Sequence, residues 1–183
     1  HMFNLSTQEV VLSIQKEPLV NLNGIFFQEY KDFFGKNFQL PDISDKKFNK
    51  LEFQEHLPRK ILDQHEVFMK KLRIFFMNSS ITEALEEKFN TNLSFKSVDI
   101  WQDYPGYYFA PHTDDKRIKL ALQIYIGEND VGTSLFDDND NTIKTFEFSN
   151  NSGYALLNNS FSRHGTSGHV NKGTRTSIYV RYT

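Results

Sequence analysis

Between Ile118 and Ile126 the chain alternates strictly. Ile118, Leu120, Leu122, Ile124 and Ile126 fall on one side of an extended chain, and Lys119, Ala121, Gln123 and Tyr125 fall on the other. Apolar residues on an amphipathic helix recur three and four apart, so this period of two demands a strand with one apolar face. Such a strand needs partners, and candidates surround it at 94–102, 107–112, 133–136, 143–148, 153–157 and 174–182. Turn signals separate them: Pro105-Gly106, Gly127-Glu128-Asn129-Asp130, Asp137-Asp138-Asn139-Asp140-Asn141 and Asn151-Ser152-Gly153. Many short strands spaced in this way imply a sandwich or barrel.

Upstream the period changes. From about 58 to 90, Ile61, Leu62, His65, Phe68, Met69, Leu72 and Phe75-Phe76 recur at helical spacing. Ser79-Ser80 interrupts the pattern and is placed to cap a second short helix. These helices read as a support packed on the sheet. The stretch 8–56 mixes short strand-like and helix-like pieces. A chain of 183 residues suits one domain. The expected division is a supporting segment over 1–92 and a β core over 93–183.

Composition excludes several classes. With no cysteine there is no disulfide, thiolate metal site or cysteine nucleophile. A net charge of -2 gives no basic surface for nucleic acid, so none is expected as a partner. No apolar run reaches the length of a membrane span, and no signal peptide is visible, so a cytoplasmic location is expected. The 18 phenylalanines predict an aromatic-rich core.

The chemistry concentrates in three places. In His112-Thr113-Asp114, the imidazole and the carboxylate sit two apart, and on an extended chain both face the same way. Fifty residues beyond Asp114 comes His164, which a second strand of a double-stranded β-helix would bring to the same point. Two histidines and one carboxylate on one face of a metal leave three positions open, an arrangement suited to a non-haem Fe(II) oxygenase. Eleven residues further, Arg175 and Ser177 share a strand face. A guanidinium there can grip a carboxylate with two parallel hydrogen bonds, and the hydroxyl can add a third.

Residues 98–183 resemble the core of the Fe(II)/2-oxoglutarate-dependent oxygenases, in particular their prolyl-4-hydroxylase-like branch. The landmarks come in order: Tyr104-Pro105-Gly106 through His112-Thr113-Asp114, then Leu122-Gln123-Ile124-Tyr125-Ile126, then Gly132-Thr133-Ser134-Leu135-Phe136. Gly153-Tyr154-Ala155-Leu156-Leu157-Asn158, His164, Gly173-Thr174-Arg175-Thr176-Ser177 and Arg181-Tyr182 follow. Three departures are visible. Val131 replaces a glycine, a tyrosine is missing near Gln102 or Asp103, and Arg175 stands where many prolyl hydroxylases have lysine.

The resemblance implies an α+β, mainly β fold: a double-stranded β-helix, jelly-roll and cupin-like, with supporting N-terminal helices. It implies Fe(II) held by His112, Asp114 and His164, and 2-oxoglutarate held by Arg175, Ser177 and Tyr125. Activity would consume O2, release succinate and CO2, and hydroxylate an organic substrate, with ascorbate as a supporting reductant. Candidate substrates are a peptidyl side chain such as proline, a free amino acid, or a lipid or glycan precursor. The alternatives are a cupin-type metal protein that does not use 2-oxoglutarate, and a binding module that keeps only the scaffold.

Other residues have blander readings. His56, His65 and His169 are structural or surface histidines. Asn158, Gln123 and Arg181 either line the pocket or support it. Trp101 and Tyr107 form either a substrate wall or core. Asp137, Asp138 and Asp140 lack the glycine and distal glutamate of a calcium loop, so they read as a solvated hairpin turn.

Overall fold

A computed structural model describes residues 59–61 and 66–183. The expectations for 8–56, and for Leu62, His56 and His65, fall outside the described residues. The elements are β1 (Arg59–Ile61), α1 (Glu66–Phe76), α2 (Ser79–Phe89), β2 (Phe95–Asp103), β3 (Leu120–Ile126), β4 (Thr133–Phe136), β5 (Thr142–Phe146), β6 (Gly153–Leu157), β7 (His164–Thr166) and β8 (Arg175–Tyr182). The strands form a five-stranded sheet in the order β1-β2-β8-β3-β6 and a three-stranded sheet in the order β5-β4-β7. Every pairing is antiparallel. The architecture is mainly β and jelly-roll-like, as the strand spacing requires.

Side-chain alternation sorts the larger sheet into two faces. Val98, Ile100, Leu120, Leu122, Ile124, Ile126, Ile178 and Val180 point to one face, where Met69, Leu72 and Phe76 of α1 and Ile81, Ala84 and Leu85 of α2 cover them. Burial of one such side chain is worth roughly 1.5–3 kcal/mol, so this layer carries the sheet. The Tyr182 hydroxyl donates to the Phe76 carbonyl at 2.8 Å and ties β8 to the end of α1. On the opposite face Tyr125, Tyr154 and Leu156 meet Leu135, Phe146 and Phe148 from the smaller sheet and its flank. Phe146 stacks on Tyr154 with centroids 4.4 Å apart. None of the helices among the described residues is long and apolar enough to cross a membrane.

Three local expectations change. The helical spacing begins at 58, yet Arg59–Ile61 is a strand paired with Asp103–Trp101. Docking at a sheet edge overrides the local period there. The segment 107–112 is irregular, and only His112 joins a bridge. Its aromatic run is strand-like in composition, but among its residues only His112 finds a bridge partner. The cap of α2 is Asn78, whose side chain accepts from the Ser80 N–H at 3.0 Å, so Ser79 and Ser80 form the first turn.

Candidate active site

The backbone brings the two histidines together before their side chains act. His112 N–H donates to the His164 carbonyl at 2.9 Å, and His164 N–H donates to the His112 carbonyl at 2.8 Å. Two residues far apart in sequence are thus direct neighbours in an antiparallel bridge. Gly165 permits the approach, because a Cβ there would lie 2.5 Å from the Phe109 carbonyl oxygen. Thr113 is exposed, as the alternation requires, while Asp114 turns back toward the histidines.

His112 Nε2 lies 3.9 Å from Asp114 Oδ1, and His164 Nε2 lies 4.0 Å from the same oxygen. The three ligand atoms fall within 4.8 Å of one another, and no second group of this kind occurs among the described residues. Each imidazole is oriented from behind. His112 Nδ1 lies 3.0 Å from the Ala110 carbonyl, and His164 Nδ1 lies 2.8 Å from the Ser162 carbonyl. A carbonyl can only accept, so each Nδ1 carries a proton and each Nε2 is turned toward Asp114. Burial, and then the neighbouring His164, push the His112 imidazole down to about 4. It is therefore neutral at pH 7, the form a metal requires.

Asp114 is oriented too. The Tyr179 hydroxyl donates to Asp114 Oδ2 at 2.9 Å, leaving Oδ1 for a cation. The Asn158 amide donates to the Asp114, Asp115 and Ile118 carbonyls at 3.3, 3.1 and 2.8 Å, which pins the loop that carries Asp114. Asn158 is therefore a support. The donor set of two imidazoles and one carboxylate oxygen, each held by a hydrogen bond on its far side, fits a divalent first-row metal with open positions. Tyr179→Phe should keep the fold and weaken divalent-metal binding about tenfold. A Mn(II) titration checks this, and an unchanged affinity would remove Tyr179 from the site.

His112, Asp114 and His164 border a cleft lined also by Arg59, Trp101, Tyr107, Gln123, Tyr154 and Arg175. Its inner wall is a hydrogen-bonded polar network. Tyr154 donates to Gln123 Oε1 at 2.5 Å, Thr133 to the same oxygen at 3.2 Å, and Gln123 Nε2 to Ser177 at 3.0 Å. Tyr125 donates to Thr133 Oγ1 at 2.9 Å. Arg175 reaches the cleft. Tyr125 and Ser177 stand behind its wall and steady Thr133 and Gln123, which do line it.

Arg175 is fully buried and already engaged. Its Nε donates to the Val131 carbonyl at 2.8 Å and its Nη1 to Asp103 Oδ2 at 2.8 Å. Its Nη2 donates to Thr133 Oγ1 at 3.0 Å and to the Gly132 carbonyl at 3.4 Å. Arg181 pairs with Asp99 and Ser97 away from the cleft. His169 is exposed and stacks on Tyr108. Asp137 accepts from the Asn139 and Asn141 N–H groups at 2.9 and 2.8 Å, so 137–141 is the hairpin turn between β4 and β5.

Sequence reasoning did not single out Tyr179, Asp103 or Arg59. The first was within reach, since Arg175, Ser177 and Tyr179 share one parity on β8. No local signal marked the other two.

No protein-family model and no curated protein matches the chain. Solved structures do. An oxidoreductase of the 2OG-Fe(II) oxygenase family from Burkholderia pseudomallei is 12% identical with a TM-score of 0.60, over 100% of this chain and 92% of that one. A Pseudomonas putida prolyl-4-hydroxylase is 13% identical with a TM-score of 0.64, over 97% and 98%. A viral collagen prolyl hydroxylase from Paramecium Bursaria Chlorella virus-1, in its 2OG complex, is 14% identical with a TM-score of 0.54, over 92% and 97%. The likeness is one of fold: this chain has the architecture of the 2OG-Fe(II) oxygenases, among them prolyl hydroxylases.

Proposed function

We propose that this chain is an Fe(II)- and 2-oxoglutarate-dependent dioxygenase that hydroxylates an organic substrate and releases succinate and CO2. The supporting observation is the convergence of His112 Nε2, His164 Nε2 and Asp114 Oδ1 at a cleft whose wall carries the buried Arg175. Iron, 2-oxoglutarate and O2 would supply the oxidising power.

The chain's own residues bind, orient and exclude. His112, Asp114 and His164 would hold the metal, through two imidazole nitrogens and one carboxylate oxygen. Tyr179 fixes the Asp114 carboxylate, and the Ala110 and Ser162 carbonyls fix the imidazoles. Arg175 attracts the far carboxylate of 2-oxoglutarate, with Thr133 and Gln123 shaping that end of the cleft. Ser177 and Tyr125 contribute by holding Gln123 and Thr133 in place. Trp101, Tyr107 and Phe109 give the cleft an aromatic wall that keeps water from the reacting atoms. The substrate classes remain a peptidyl residue such as proline, a free amino acid, and a lipid or glycan precursor. The prolyl hydroxylases among the fold neighbours favour the first.

The purified chain with Fe(II), ascorbate and 2-oxoglutarate should release succinate, slowly even without substrate. It should also show an absorption band on anaerobic mixing with Fe(II) and 2-oxoglutarate. Absence of both would overturn the proposal. The occupied donors of Arg175 favour one second reading, a cupin-type metal enzyme that does not use 2-oxoglutarate. On that reading Arg175→Ala keeps its metal-dependent activity. On ours the same variant loses succinate release.

A further inference from the structure

On the 2-oxoglutarate reading above, Arg175 has too few free donors to grip a carboxylate alone. A guanidinium has five N–H groups. Four of those of Arg175 are directed at Val131, Asp103, Thr133 and Gly132, which leaves one on Nη1. A two-pronged grip needs a second cation.

Arg59 supplies one. Its Nε donates to Asp103 Oδ1 at 2.5 Å and its Nη2 to Asp103 Oδ2 at 3.2 Å. Among the described residues its Nη1 has no hydrogen-bond partner. The guanidinium carbon lies 4.0 Å from the Trp101 ring centroid and 4.3 Å from that of Tyr107, so both rings hold it at the cleft wall. Asp103 is fully buried and bridges the two arginines.

The charges do not balance within this cluster. Two guanidiniums face one carboxylate, which leaves one positive charge in surplus where solvent barely reaches. The Arg59 side chain is only 13% exposed. Asp103 is also paired with Arg175, so its carboxylate keeps a cationic partner without Arg59. A surplus buried charge is unfavourable unless an anion joins it. Its complement is a single carboxylate.

We infer that Arg59 is a specificity-determining residue that shares the far carboxylate of 2-oxoglutarate with Arg175, in a two-arginine site organised by Asp103. Arg59 lies in β1, outside residues 98–183 that carry the sequence resemblance.

The test is calorimetric binding to the Mn(II)-loaded chain, with 2-oxoglutarate and with 2-oxobutyrate, which has the same keto acid end and no second carboxylate. Arg59→Gln should weaken 2-oxoglutarate binding about ten- to a hundredfold, as for one charge-assisted hydrogen bond. It should leave 2-oxobutyrate and Mn(II) binding as in the parent chain, and Arg59→Lys should recover part of the loss. Equal 2-oxoglutarate affinity in Arg59→Gln and parent overturns the inference and leaves the dioxygenase reading standing. Parallel losses for 2-oxobutyrate and Mn(II) would show a merely structural arginine and also overturn it. A parent chain that binds Mn(II) but no 2-oxoglutarate overturns the dioxygenase reading, and this inference with it.

Discussion

Replacing His164 with alanine is expected to abolish succinate release and to lower divalent-metal affinity at least about a hundredfold, beyond what loss of an outer support costs. On the proposed function, two remaining ligands would not define the face that three would hold. The fold should survive, because the bridge between His112 and His164 is made by main-chain atoms that alanine retains. Mn(II) titration and thermal melting of the same preparation separate these effects. Near-parental metal binding in a folded variant would mean that other residues hold the metal. Asp114→Asn should behave similarly, since a neutral amide keeps the shape and removes the charge.

Asp103→Asn carries the largest expected change in stability. Asp103 is fully buried, and it faces Arg175 at 2.8 Å and Arg59 at 2.5 Å. Removing one partner of a buried ion pair costs about 3–5 kcal/mol, because the remaining charges stay desolvated without compensation. Against a typical total of roughly 5–15 kcal/mol, that loss is severe. Urea denaturation should show a clearly lowered midpoint with little change in slope. A loss under about 1 kcal/mol would mean that water reaches the cluster and screens it. The exposed pair Arg117 and Asp115 offers the contrast: Asp115→Asn should leave the midpoint almost unmoved.

Much of the site was legible because it follows from parity and order. The alternation over 118–126 gave β3 its two faces, and the apolar one packs on the helices as expected. Arg175 and Ser177 share a face of β8 for the same reason, and Tyr179 continues the series to Asp114. The structure brings His112, Asp114 and His164 together, a grouping expected from their spacing and from the family resemblance. The irregularity of 107–112 was not legible, since its composition suits a strand and only the absence of bridge partners beyond His112 reveals otherwise. The Asn78 cap was missed by a single position because serine and asparagine serve equally well there.

The sequence by itself determined which residues alternate, which carry lone pairs or charge, and in what order they come, because those properties are local to the chain. Tertiary structure alone decided that Arg59 meets Asp103. That contact depends on the register of a three-residue edge strand against β2, and nothing in the period of either segment specifies it. It also decided that Arg175 spends most of its donors inside the protein. Hydrogen-bond partners drawn from β2, from β4 and from the residues just before β4 are set by how the sheets pack, which no short stretch of sequence encodes.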